Sequence, residues 1–241
     1  MAKVADKYLK VDPWAIIEEG FDPERNRTSE SIFSLGNEYM GVRGYAEEGY
    51  SGDSLQGSYF NGLNEQLDIG NHYKGIIRSL RYMVNAVDWL YTRITVNGEQ
   101  LDLAKSKISD YVRKLDLRSG TYRRELIWHL DDGKILKVVF TRLVSMTMSH
   151  LGLQRVMFEP LNFSGSVDIC AGLDFNHIAY HSICLIILRP PGACWTLDIR
   201  HYLRICNVLK MLIARGLVTL LLLSTEQKAV ISGSIRIFSF M

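Results

Sequence analysis

The chain has 241 residues, 47% of them hydrophobic, and a formal net charge of +2, which supplies a real core and excludes the composition of a disordered segment. The charge is uneven: residues 178–241 hold seven Lys or Arg against Asp198 and Glu226, leaving 21 basic and 24 acidic residues before them. A mildly acidic body without clustered Lys and Arg argues against nucleic acid as a partner. The longest apolar run, Leu209 to Leu223, is interrupted by Lys210 and Arg215 and falls short of a membrane span.

In chain order, the N-terminal MAKVADKYLKVDPW has no apolar core of the secretory kind, so a cytoplasmic location is expected. Asp12 and Pro13 suit the cap and first position of one or two helical turns over Trp14 to Gly20. Residues 34–45, SLGNEYMGVRGY, place Gly36 and Gly41 at P-loop spacing, but Val42 and Arg43 stand where Lys and Ser or Thr would hold phosphate and Mg²⁺. Tyr39 likewise breaks the dinucleotide-binding pattern. These glycines read instead as punctuation between short strands, Ile32, Phe33 and Leu35 before Gly36 and Tyr39, Met40 and Val42 after it, and Gly44 to Gly62 as loops between more of them.

From residue 90 to 175 the rhythm is antiparallel β. Asn97-Gly98 is a strong hairpin turn because both residues accept positive φ. Ser119-Gly120, Asp131-Asp132-Gly133, Pro160 and Ser164-Gly165 continue at the spacing of a sandwich or barrel. After about residue 178 acids nearly vanish, turn residues thin out and no regular period persists. The domains expected are therefore a sandwich over 1–177 and a distinct, poorly ordered tail over 178–241, for which translation of a shifted reading frame is preferred to a second small domain or a membrane-associated segment.

Candidate chemistry is sparse. The adjacent acids Glu18-Glu19, Glu47-Glu48 and Asp131-Asp132 read as solvated surface, since neighbours on a strand or helix point to different sides and cannot flank one bond. Of the six histidines only His177 and His181 lie four apart, in a segment without a helical stripe, and no His or Cys spacing suits a metal. Cys184, Cys194 and Cys206 cluster late and Cys170 stands alone, so neither disulfides nor metal are expected. Tyr39, Tyr45, Tyr50, Tyr59, Phe60 and Tyr73 could stack on sugar faces or fill the core. Arg43 could pair with a buried carboxylate or a partner surface.

Read together, DPWAIIEEGFDPE, ESIFSLGNEYMGVRG, GSYFNG, VNAVDWLYTRITVNGEQLDL and YVRKLDLRSGTYRR resemble the opening domain of glycoside hydrolase family 65, which includes maltose, kojibiose, nigerose and trehalose phosphorylases. Phe33 to Gly44 carries the most specific signal; Glu38 departs from the Gly that usually follows the Asn at position 37. The resemblance covers residues 12 to about 177 and implies an all-β fold, a large antiparallel β-sandwich of the galactose-mutarotase-like type. It implies that in a full-length relative a helical linker joins this sandwich to an (α/α)₆ barrel, and that the barrel carries the chemistry. There inorganic phosphate attacks an α-linked disaccharide in one inverting step, and dimers are common.

No residue here matches the family's catalytic acid or phosphate pocket, so the expectation is an inactive, incomplete sandwich needing no cofactor. Asn37, Tyr39, Arg43 and Tyr45 are the candidates for a barrel-facing or sugar-facing loop. The alternative is a free-standing carbohydrate-binding sandwich.

Overall fold

The computed structural model describes residues 8–68, 79–85 and 87–174, with the backbone of residues 205–213, 218–224 and 236–238. The strands are β1 (Leu9–Asp12), β2 (Ala15–Glu19), β3 (Leu35–Gly36), β4 (Met40–Val42), β5 (Ser58–Phe60), β6 (Asn64–Asp68), β7 (Ser79–Met83), β8 (Thr92–Val96) and β9 (Glu99–Gln100). They continue with β10 (Lys107–Asp116), β11 (Thr121–His129), β12 (Ile135–Val144), β13 (Gly152–Pro160), β14 (Gly165–Leu173), β15 (Ile205–Ile213), β16 (Val218–Ser224) and β17 (Arg236–Phe238). A single α-helix, α1 (Asn26–Ile32), is found among the described residues.

Eight strands form one sheet in the order β1-β2-β10-β11-β12-β13-β16-β17, and four form a second in the order β15-β14-β8-β9. Period-2 alternation drives the two together. Leu126 and Trp128 of β11, Val138 and Phe140 of β12 and Val156 and Phe158 of β13 pack with Ile94 and Val96 of β8 and Val167 and Ile169 of β14 in one buried cluster. The architecture is the antiparallel β-sandwich that the alternation and the family resemblance both implied. β3-β4-β5 and the hairpin β6-β7 make small additional sheets.

The turn chemistry reads through directly. Asn97 and Gly98 both take positive φ, 50° and 83°, and Gly133 takes 83°. β4 is antiparallel to both β3 and β5, so 34–45 does hold short strands, but Gly36 closes β3, Gly41 lies inside β4 and only Gly44 falls in the loop that follows.

Four expectations need correction. Asp12 caps no helix: its Oδ1 accepts from the Trp14 N–H at 2.8 Å in a tight turn between β1 and β2, and Ala15–Glu19 pairs with β10 instead. The pull of a long partner strand outweighs a weak local helix signal. Ile32, read as part of a strand, lies in α1. Glu18, Glu47 and Glu48 are buried, whereas Glu19 and Asp131-Asp132 are solvated as expected. Cys170 is disulfide-bonded, contrary to the spacing argument, because the fold rather than the sequence interval decides which cysteines meet.

Tyr73, His72, His177, His181 and His201 lie outside the described residues, as does most of the tail. Of that tail, β15 pairs with β14, β16 with β13, and β17 runs parallel to β16.

Candidate functional site

The segment from Asn37 to Glu48 crosses one end of the large sheet, and its side chains are fixed from below. Asn37 is used completely as a staple. Its Oδ1 accepts from the N–H groups of Tyr39 and Met40, each at 2.8 Å, while Nδ2 donates to the Ser145 and Ser149 carbonyls at 2.6 and 2.9 Å. The β3-β4 turn is thereby tied to the loop joining β12 and β13. Tyr39, half-buried, packs its ring edge-on against His150 at 3.9 Å and Phe60 at 6.0 Å. On the tied loop, Met146 and Met148 are 78% and 59% exposed.

Arg43 and Tyr45 behave differently from these two. The Arg43 guanidinium donates to the Ser31 hydroxyl near the end of α1, and among the described residues it meets no buried carboxylate. Tyr45 is 1% exposed and donates its hydroxyl to Asp88 Oδ1 at 2.7 Å. Burial, then the Asp88 carboxylate, pushes the Tyr45 phenol well above its ordinary value. Asn37, Tyr39 and Arg43 are each half-buried, the first two held against the loop joining β12 and β13 and Arg43 against α1, while Tyr45 is fully buried.

Beneath the segment lies a charged row on the inner face of the sheet, which the reading of the sequence missed. Arg113 of β10, Arg124 of β11 and Arg142 of β12 are each almost fully buried. Arg124 grips both adjacent acids: Nη1 donates to Glu48 Oε1 at 2.7 Å, and Nη2 donates to Glu47 Oε2 at 2.6 Å and to Glu48 Oε2. Arg142 donates to the carbonyls of Arg43 and Tyr45 at 3.0 and 2.6 Å. Its Nε also lies 3.1 Å from Glu47 Oε1, a charge contact without an aligned N–H.

Arg113 Nε meets Glu18 Oε2 in the same unaligned way at 2.9 Å, and Glu18 also accepts from Ser29 Oγ at 2.9 Å. Burial pulls the Arg124 guanidinium down, but Glu48 and Glu47 more than reverse it and leave its pKa above the ordinary value. Glu30, also buried, accepts from Asn26 Nδ2 at 2.9 Å, Ser54 Oγ at 2.7 Å and the Leu55 N–H at 2.5 Å. Glu47 and Glu48 converge on one guanidinium because they sit in an irregular loop, where the opposite-sides rule for neighbours does not apply.

Chemically, this arrangement holds loops; its carboxylates are matched by guanidinium, amide and hydroxyl donors. Among the described residues no group of three or more His, Cys, Asp or Glu is placed to hold a metal. No helix among them is long and apolar enough to cross a membrane.

Fold and site together define an antiparallel β-sandwich domain organised around a buried ionic row. The family profile described as "Glycosyl hydrolase family 65, N-terminal domain" matches residues 16–182. The chain belongs to glycosyl hydrolase family 65.

An alpha,alpha-trehalose phosphorylase of Thermoanaerobacter brockii is 36% identical over 172 residues, 68% of this chain and 22% of that protein. A kojibiose phosphorylase of Halothermothrix orenii is 35% identical over 159 residues, 66% of this chain and 19% of that protein. A solved structure, provisionally named as a kojibiose phosphorylase from the human microbiome, is 38% identical with a TM-score of 0.67 and covers 72% of this chain and 23% of its own. The chain spans about a fifth of the length of the relatives it matches.

Proposed function

We propose that this chain supplies the non-catalytic sandwich domain of a disaccharide phosphorylase acting on α-linked glucosides. The observation that supports it is the use made of the buried acids: Glu18, Glu47 and Glu48 are matched by arginines, and Glu30 by amide and hydroxyl donors. A general acid needs a carboxyl free to lose and regain a proton beside substrate, and these are committed to the fold. Incubating the chain with inorganic phosphate and trehalose, kojibiose or maltose should release no glucose 1-phosphate above a protein-free blank; sustained release would overturn the reading.

The segment from Asn37 to Tyr45 then faces the catalytic portion of a full-length enzyme. In a full-length relative, replacing the arginine aligned with Arg43 by Ala should lower both activity and assembly, and unchanged values for both would remove this assignment. We infer further that residues 178–241 are not family sequence, supported by the change of composition near residue 178 and a family match that reaches only residue 182. Family-like sequence in another frame of the encoding DNA beyond codon 177 is the expected finding, and its absence in every frame would count against a shifted frame.

A further inference from the structure

Beside the small sheet, the loop at Gly49–Ser51 faces β8, β9 and the turn that follows, across a cleft of about 570 Å³ lined by Tyr50, Arg93, Glu99, Gln100, Asp102 and Lys105. This lies inside the span of small-molecule sites, about 300–1,000 Å³. The walls come from separate parts of the chain and are clamped together. Asp102 Oδ1 accepts from the Ser51 N–H at 3.1 Å and the Ala104 N–H at 3.0 Å, and Oδ2 lies 3.4 Å from Lys105 Nζ. Glu99 accepts from Trp128 Nε1 at 3.3 Å and the Asp131 N–H at 3.0 Å. Arg93 donates to the Glu47 carbonyl at 2.8 Å and lies over the Tyr91 ring, 4.0 Å from its centre. The Tyr50 ring is set edge-on against Phe21 at 5.4 Å.

The lining decides among ligand classes. Arg93 and Lys105 are offset by Glu99 and Asp102, and Asp131 adds a further acid at the rim, so an anion such as phosphate gains nothing on balance. A divalent cation would have to displace the amide and ammonium donors already seated on the carboxylates. An apolar ligand would strand the polar wall. A neutral polyhydroxylated molecule meets none of these objections, since each hydroxyl both donates and accepts and a sugar ring offers a C–H face to an aromatic side chain.

We propose that this cleft is a binding site for a neutral disaccharide of α-linked glucose units, with Tyr50 against a ring face and Gln100 and Lys105 on the hydroxyls. It goes beyond the scaffold role, and depends on that reading only in choosing α-linked sugars.

Calorimetric titration of the whole chain with trehalose, kojibiose and maltose in turn should give saturable binding of at least one, with Kd on the order of 1 mM. The double variant Gln100→Ala/Lys105→Ala changes two exposed side chains and should leave Tm unchanged while weakening binding by about tenfold or more. Tyr50→Leu should weaken it in the same direction. No saturable binding by any of the three sugars, binding untouched by both variants, or competition by inorganic phosphate alone would each overturn the proposal. None of those results would touch the family reading, which the phosphorolysis assay tests separately.

Discussion

Arg124 occupies an inward position of an alternating strand, between Tyr122 and Leu126, where an apolar side chain is the ordinary choice. The same holds for Arg113 between Tyr111 and Leu115, and for Arg142 between Phe140 and Val144. Three arginines in the buried phase of three neighbouring strands were visible in the sequence and do announce buried counter-charges. Their partners were not, because Glu47 and Glu48 lie in a loop without periodicity. Removing one side of such a pair strands the other, so Arg124→Ala should cost about 3–5 kcal/mol, read as a lower urea midpoint with an unchanged slope; a loss near zero would show that the row is dispensable.

On the surface, Asp132 accepts from Lys134 Nζ at 2.5 Å and Asn97 Nδ2 at 2.7 Å, and these hydrogen bonds hold its carboxyl down to about 2. A depressed carboxyl stabilises the fold above its unfolded value of 3.8, and that contribution fades as pH falls through about 2. Carbon-detected NMR titration should place the Asp132 midpoint near 2, and Lys134→Met should raise it toward 3.8.

At the scale of elements, the run from Gly36 to Gly44 separates glycines required by packing from those merely tolerated. The Gly44 N–H donates to the Glu30 carbonyl at 2.7 Å, drawing the chain against the end of α1. A Cβ at Gly44 would lie 2.8 Å from Phe33 Cβ and 3.0 Å from the Phe33 carbonyl, whereas at Gly41 it would meet only the Leu35 carbonyl at 4.0 Å. Gly44→Ala should therefore destabilise by about 1–3 kcal/mol through forced displacement of backbone, and Gly41→Ala should be close to neutral. Thermal melts of the two variants check this, and equal Tm values would refute the difference.

Such packing demands are invisible in a linear motif, which is why the short strands were legible there while Gly36 and Gly41 proved to lie inside them and Gly44 to be the one packing requires. The hairpins fared better, because Asn97-Gly98 and Asp131-Asp132-Gly133 carry their backbone conformation in their residue types. At Asp12 the turn residues were ambiguous, and only the pairing of β2 with β10 resolved them.

Across the whole molecule, alternation made the sandwich legible, since a buried face every second residue in successive strands has to meet a second layer. What alternation could not give was the composition of that interior, where an apolar cluster fills most of the space and the ionic row closes one end. The apolar cluster draws on both sheets without a break: Phe158 belongs to the eight-stranded sheet and Ile169 to the four-stranded one, and each is fully buried. Neither sheet can lose its partner and keep an apolar face covered, so the two should unfold as a unit. Phe158→Ala and Ile169→Ala, each costing about 2–5 kcal/mol through lost burial and the cavity left behind, should shift a single transition to lower denaturant. Far-ultraviolet circular dichroism and intrinsic tryptophan fluorescence, to which buried Trp89 and Trp128 contribute, should report the same midpoint in each variant. Two midpoints, with Ile169→Ala moving only one of them, would mean that the sheets hold their structure independently.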